Sequence, residues 1–221
     1  MKKLLIITDS TAFPRSKSLG EQTKYEENYP YLIKNKYKDF VITNISFGGV
    51  TSNLLLNQAI SYYKEWNPDL IIINSGINDC RTFPLSERIV QIFKLISNRL
   101  YNIVEKILFY KLINTNFSKP TIPLKKFKRS VNRFQVIFDK SIIIWIEIVA
   151  DLSYDKKRFK TSKYLEDYNN FLLKKFNDKF LKVKNEIILN NGIQEDGFHL
   201  NSRGHKVIFK NLVKTIDKIK I

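Results

Sequence analysis

Two side chains that build metal sites and staples are scarce in this chain: 221 residues contain one cysteine, Cys80, and two histidines, His199 and His205. A single cysteine excludes an intramolecular disulfide and fits a reducing compartment. So small a stock of His and Cys leaves no recognisable zinc-type ligand cluster. No apolar run approaches the roughly 20 residues of a membrane span. The opening stretch carries only four consecutive apolar residues, Leu4 to Ile7, before Thr8, well short of the roughly 7–15 of a signal core. The expectation is a cytoplasmic protein, with any membrane contact peripheral. Neither GxGxxG nor GxxxxGK[ST] occurs, which removes the common dinucleotide and nucleoside triphosphate classes. Acidic residues are also in deficit: 21 Asp and Glu against 38 Lys and Arg leave a net charge of +17. That balance favours anionic partners. The lysines are spread along the chain as on solvated helix faces, however, and no nucleic-acid partner is expected.

What the chain does have is a series of apolar runs that stop on small polar or glycine turns. Leu4-Leu5-Ile6-Ile7 ends at Thr8-Asp9-Ser10; residues 39–46, rich in β-branched and aromatic side chains, end at Phe47-Gly48-Gly49; residues 69–74 end at Ser75-Gly76-Ile77-Asn78. Each reads as a strand. Residues 141–149 predict another buried strand and residues 186–190 a short last one. Helical spacing covers residues 25–37, broken near Pro30, and residues 51–66, closed by Asn67-Pro68. It returns over a long amphipathic region at 84–114, over 164–182, and in a closing helix at 204–219. Residues 118–133 read as a basic, proline-bearing connection. Near-continuous apolar strands belong to a parallel sheet covered on both faces, and strands alternating with helices predict an α/β fold. The length suits one domain, 1–221, with a helical elaboration at about 83–140.

Three of these strand ends carry different chemical tools: a hydroxyl at Ser10, a bare backbone turn at Gly48-Gly49 and a side-chain amide at Asn78. Open α/β sheets bind ligands at that edge. Acyl transfer needs such a set, a nucleophile together with preorganised donors for the oxyanion it generates. A base is still required. Only His199 stands three residues after a carboxylate, in Asp196-Gly197-Phe198-His199, where one turn lets Asp196 hold the imidazole tautomer. Other readings stay open: a serine after an aspartate is ordinary turn chemistry, and Gly48-Gly49 before a helix suits a phosphate. Asp9 and Asp79 read as structural partners of turn amides, His205 as a capping or packing residue, and Cys80 as a buried, inert thiol.

These four blocks, in this order, resemble the SGNH subgroup of the GDSL hydrolases across nearly the whole chain. Thr8-Asp9-Ser10 matches the Gly-Asp-Ser block, Gly49 the second-block glycine, Gly76-Ile77-Asn78-Asp79 the Gly-x-Asn-Asp block, and Asp196 to His199 the Asp-x-x-His block. The resemblance implies a flavodoxin-like three-layer α/β/α sandwich with a mainly parallel five-stranded sheet. It implies Ser10 as nucleophile, His199 as general base and Asp196 as its orienter. It also implies an oxyanion hole from the Ser10 and Gly49 N–H groups with the Asn78 amide, and no cofactor or metal. Thr8 departs from the family's glycine without removing a reacting group.

The function so implied is hydrolysis of an O-acyl ester, an O-acetyl group on a carbohydrate or glycan precursor being the substrate expected. The same residues serve an O-acyltransferase with a sugar acceptor. A non-catalytic binder of a phosphorylated ligand and a membrane-surface lipase presenting the 84–114 stripe outward are the readings from other classes. The block 76–81 followed by a helical elaboration is similar to SGNH proteins of bacterial surface-polysaccharide pathways. Arg81 and the basic residues Lys125, Lys126, Lys128 and Arg129 are candidate contacts to a substrate phosphate or carboxylate.

Overall fold

In the first strand, β1 (Lys2–Thr8), Leu5 and Ile7 are buried on one face and Leu4 and Ile6 on the other, none more than 1% exposed. The run is apolar on both faces because both are covered. The computed structural model describes residues 1–83, 119–151 and 161–219, together with Ser97, Ile103 and Tyr154. After β1 come α1 (Tyr29–Lys36), β2 (Phe40–Ser46), α2 (Ser52–Tyr63), β3 (Leu70–Asn74) and the single turn α3 (Ile77–Cys80). Two-residue strands β4 (Thr82–Phe83) and β5 (Lys119–Pro120) pair antiparallel and join the ends of the segment between them. The expected 84–114 helix lies outside the described residues. The chain continues through α4 (Leu124–Ile137), β6 (Ile142–Ile146), α5 (Thr161–Phe176), β7 (Phe180–Leu181), α6 (Lys184–Leu189) and α7 (Ser202–Ile216).

Five strands form one parallel sheet in the order β2-β1-β3-β6-β7. One face, with Leu5, Ile7, Ile71, Ile73, Ile143 and Trp145, is covered by α2, α4 and α5; the other, with Leu4, Ile6, Leu70, Ile72, Ile144 and Ile146, by α1, α6 and α7. This is the three-layer α/β/α sandwich anticipated above. Each such buried aliphatic side chain stabilises the fold by about 1.5–3 kcal/mol before entropy is counted. Because β1 lies inside the sheet, its carboxyl end opens between β2 and β3, where the candidate residues gather.

Three local readings are corrected. Residues 186–190 are not a strand: α6 occupies Lys184–Leu189, and the last strand is the two-residue β7. The helix is capped from the sheet, since the Glu147 carboxylate accepts from both Val183 N–H and Lys184 N–H at 2.8 Å. Ile187 is buried while Leu189 is 82% exposed, so the apolar run has one buried side only. Residues 124–137, read largely as a connection, form α4, whose Phe127, Val131 and Phe134 recur at helical spacing and are buried. The helix expected over 164–182 runs instead from Thr161 to Phe176 and stops where Asn177 takes a left-handed φ of 48°, a conformation Asn tolerates better than most residues.

Two buried titratable groups give the fold opposing responses to pH. His205 in α7 is fully buried; Nδ1 accepts from Tyr29 N–H at 3.4 Å, and Nε2 has no partner among the described residues. Burial lowers its pKa from 6.5 to about 3. Between those values the unfolded chain binds a proton that the folded chain refuses, so stability contributed by His205 falls as pH drops below 6.5. Asp79 works the other way. Burial raises its carboxyl to about 7 despite the hydrogen bonds from Ser52, so the stability it contributes is lost as pH rises through 7. His205→Asn removes only the first effect. Urea denaturation should find this variant gaining on the native chain by about 2 kcal/mol between pH 7 and pH 5; a difference that does not move with pH would refute the burial argument.

Candidate active site

Beyond Thr8 the chain leaves the strand and is fixed at once. Asp9 N–H donates to Asn74 O at 3.1 Å, tying the turn to the end of β3. Asp9 Oδ1 accepts from Thr11 N–H at 3.0 Å and from Thr11 Oγ1 at 2.7 Å, capping the 3-10 turn Ser10–Ala12. The side-chain cap holds the backbone on both sides of Ser10. Burial pushes the Asp9 carboxyl up, against the lowering effect of these bonds. Thr8, in the place of the family's glycine, is buried, and its hydroxyl pairs with Ser46 Oγ at 2.7 Å. The substitution is thus absorbed between β1 and β2.

The turn after β2 lies beside Ser10: a Cβ placed on Gly48 would stand 3.9 Å from the Ser10 Cβ. Gly49 has a φ of +70°, a region that favours glycine. Asn78, in α3, donates through Nδ2 to Val50 O at 3.0 Å, which joins the third block to the second. One of its two amide hydrogens is used in this way, and an amide nitrogen carries two. Asp79 locks the same corner by accepting from Ser52 N–H at 2.8 Å and Ser52 Oγ at 2.7 Å. Asp9 and Asp79 are therefore turn anchors. Cys80 is buried, and burial pushes its thiol up. Arg81 follows α3, its carbonyl accepting from Thr121 N–H and Oγ1 at the start of the β4–β5 pair.

The far end of the sequence returns to this edge. His199 Nε2 lies 3.1 Å from Ser10 Oγ, and its Nδ1 lies 2.6 Å from Asp196 Oδ2. Asp196 Oδ1 accepts from Phe198 N–H at 3.2 Å and His199 N–H at 3.0 Å, a geometry allowed by Gly197 at a φ of +92°. Burial pushes the Asp196 carboxyl up, but the hydrogen bonds and charge of His199 and the Phe198 N–H outweigh it and bring it down to about 2. Asp196 is thus ionised at neutral pH. The His199 ring is stacked on Phe198, centroids 4.0 Å apart, and Phe198 packs on Tyr154 at 5.0 Å. Chemically, the set can pass a proton from a serine hydroxyl to an oriented imidazole.

The chain matches the family model of the GDSL-like lipase/acylhydrolases over residues 16–212, most of its length. It belongs to this family. That family is one of lipases and acylhydrolases. The match begins after Ser10, whose place in the site rests on the hydrogen-bond geometry given above. Among solved structures, this GDSL-family chain is similar to a lipase/acylhydrolase from Enterococcus faecalis, with 16% identity, 98% of this chain and 95% of that one covered, and a TM-score of 0.65. It is also similar to an acetyl-xylooligosaccharide esterase from Geobacillus stearothermophilus, at 14% identity, 100% and 96% coverage and a TM-score of 0.62. A third is the psychrotrophic esterase EstA from Pseudoalteromonas, at 17% identity, 99% and 98% coverage and a TM-score of 0.58. At such identities the likeness is one of fold. Comparison with curated proteins gives no match.

Sequence reading missed Arg15, Glu21 and Gln194. Arg15 Nη2 donates to Asp196 Oδ2 at 3.2 Å; Gln194 Nε2 donates to Glu21 O at 2.8 Å; Glu21 Oε2 accepts from Asn201 Nδ2 at 3.0 Å and Arg203 Nη2 at 3.1 Å. Arg15 and Glu21 stand in a polar loop with no periodicity, and their partners are more than 170 residues away. No local pattern announces such pairs.

Proposed function

We propose that this GDSL-family chain hydrolyses an O-acyl ester, an O-acetyl group on a carbohydrate or glycan precursor, through an acyl-enzyme on Ser10. The observation that carries this reading is the unbroken series from Ser10 Oγ to His199 Nε2 at 3.1 Å and from His199 Nδ1 to Asp196 Oδ2 at 2.6 Å. His199 takes the Ser10 proton as Oγ attacks the acyl carbonyl. The oxyanion is met by the N–H groups of Ser10 and Gly49 and by the second amide hydrogen of Asn78. As the acyl C–O bond breaks, the imidazolium gives its proton to the departing sugar oxygen, which leaves as a hydroxyl, and the acyl group stays on Ser10. His199 then activates a water that releases the carboxylate and regenerates the hydroxyl. Support for the acetyl-sugar substrate comes from the Geobacillus neighbour of the same fold, an acetyl-xylooligosaccharide esterase.

The test is intact-mass analysis after incubation with a fluorophosphonate; the Pseudoalteromonas neighbour is inhibited by monoethylphosphonate. One adduct, mapped to Ser10 and absent from Ser10→Ala and His199→Ala, is the expected result. No adduct on the folded native chain would rule out an activated serine. Turnover of acetylated xylo-oligosaccharides against long-chain acyl esters then checks the substrate class. Asn78→Ala should lower kcat on an acetyl ester by about 10²–10³-fold with KM little changed, since the oxyanion exists only after attack. A change confined to KM would remove Asn78 from that role.

A further inference from the structure

The acid–base pair and the nucleophile sit on loops far apart in sequence, and a partly buried cation spans them. Arg15 follows Ser10 by five residues in the loop after β1. Its backbone is pinned by reciprocal bonds with Thr23, at 2.8 and 3.0 Å. Its side chain is 14% exposed, and Nη2 donates both to Leu19 O at 3.1 Å, inside its own loop, and to Asp196 Oδ2 at 3.2 Å. That oxygen is the one that faces His199 Nδ1. The other carboxylate oxygen is held by Phe198 and His199 N–H groups, which belong to the same loop as Asp196. Those bonds orient the carboxylate within its own loop. They do not relate it to Ser10.

We propose that Arg15 is a positioning residue which, by tying the Asp196 carboxylate to the loop that follows Ser10, holds the His199 imidazole in register with the Ser10 hydroxyl. The inference rests on the triad reading above. An exposed ion pair would contribute little, but this one is mostly buried, and its guanidinium joins two acceptors at fixed geometry. Both bonds leave the one nitrogen Nη2, whose hydrogens are held in the guanidinium plane; a lysine ammonium, compact and on a flexible stem, is not fixed in that plane. The two loops have other fastenings, at Gln194 with Glu21 and Thr23, and at Glu21 with Asn201 and Arg203. With those intact, Arg15→Ala is expected to fold. What it loses is alignment at the reacting atoms, where a displacement of about 1 Å can cost 10²-fold in rate.

The experiment is the rate of fluorophosphonate labelling at Ser10, followed by intact mass for the native chain, Arg15→Ala and Arg15→Lys, with thermal melting in parallel and with or without millimolar guanidinium chloride. Arg15→Ala should label about 10–100-fold more slowly with a melting temperature near the native one, and Arg15→Lys should fall between. Guanidinium should restore part of the rate to Arg15→Ala and leave the native rate unchanged. Labelling of Arg15→Ala at the native rate overturns the proposal. So does a slow rate that guanidinium does not restore and that comes with a lowered melting temperature in both variants, which marks Arg15 as merely structural. A native chain that takes no label overturns the proposal together with the triad reading, and is told apart from the other outcomes by the native sample alone.

Discussion

Replacing Ser10 and His199 together by alanine is expected to cost no more activity than replacing either alone. Each single change should lower kcat by about 10⁴–10⁶-fold, leaving the part of the acceleration that comes from binding and the oxyanion donors. In the mechanism proposed above, the two side chains perform one event. The hydroxyl is a poor nucleophile until its proton leaves, and the group placed to take it is His199 Nε2 at 3.1 Å. Without the base the hydroxyl is inert; without the hydroxyl the base has nothing to activate. Asp196 enters through tautomer and charge. Held down to about 2 by its hydrogen bonds against the upward push of burial, it stays ionised through the neutral range and keeps the Nδ1 proton on its own side of the ring. Asp196→Asn should therefore cost about 10⁴-fold. Steady-state kinetics on an acetyl ester, with the Ser10→Ala, His199→Ala and double variants compared, checks the account. Losses that multiply in the double variant would mean that the two residues do not share a proton transfer.

The parts of this site that could be read from the chain are those whose signal is local. Leu4 to Ile7 is apolar without interruption because both faces of β1 are covered, and the polar turn that stops it must leave the sheet at its carboxyl edge. The same holds for β3 and the turn at Gly76. Asp196 and His199 stand three residues apart, so their contact is also local. What escaped is what two distant segments make together. Arg15 reaches Asp196 across 181 positions, and Glu147 caps α6 from the end of β6; nothing near either residue says so. The error at residues 186–190 has the same origin. Ile187-Ile188-Leu189 is too short an apolar run for periodicity to separate strand from helix, and the deciding group is the Glu147 carboxylate, 36 residues before Val183. The two-residue β7 gave no pattern at all.

Gly204→Ala should be strongly damaging for a single-methyl change, and its effect should reach the active site. Gly204 lies in the first turn of α7 and faces Gly192, so closely that an added Cβ would fall 2.2 Å from Gly192 O and 3.0 Å from both Gly192 C and the Leu200 Cδ2. The first two are backbone atoms, and they cannot turn aside as a flexible side chain would. Gly192 is itself fixed: its N–H donates to Ile187 O at 2.8 Å, and its carbonyl accepts from Asn201 N–H at 3.1 Å. Relief requires the start of α7 to move away from the loop after α6, breaking the Asn201 cap on Arg203 N–H and Gly204 N–H. Overpacking of this kind costs about 3 kcal/mol at its upper end, and a chain of this length should lose about 6–12 °C in melting temperature. Since His199 is only two residues before Asn201, the shift also carries the imidazole relative to Ser10, and labelling by a fluorophosphonate should slow in the fraction that remains folded. Gly48→Ala is the contrast. Its Cβ would meet only ordinary contacts, 3.7 Å from Phe13 Cε2 and 3.9 Å from Ser10 Cβ, so its melting temperature should stay near the native value. Thermal melts of the two variants decide the matter: equal stabilities would show that the Gly192–Gly204 approach gives way without cost, and the coupling from α7 to His199 would fail with it.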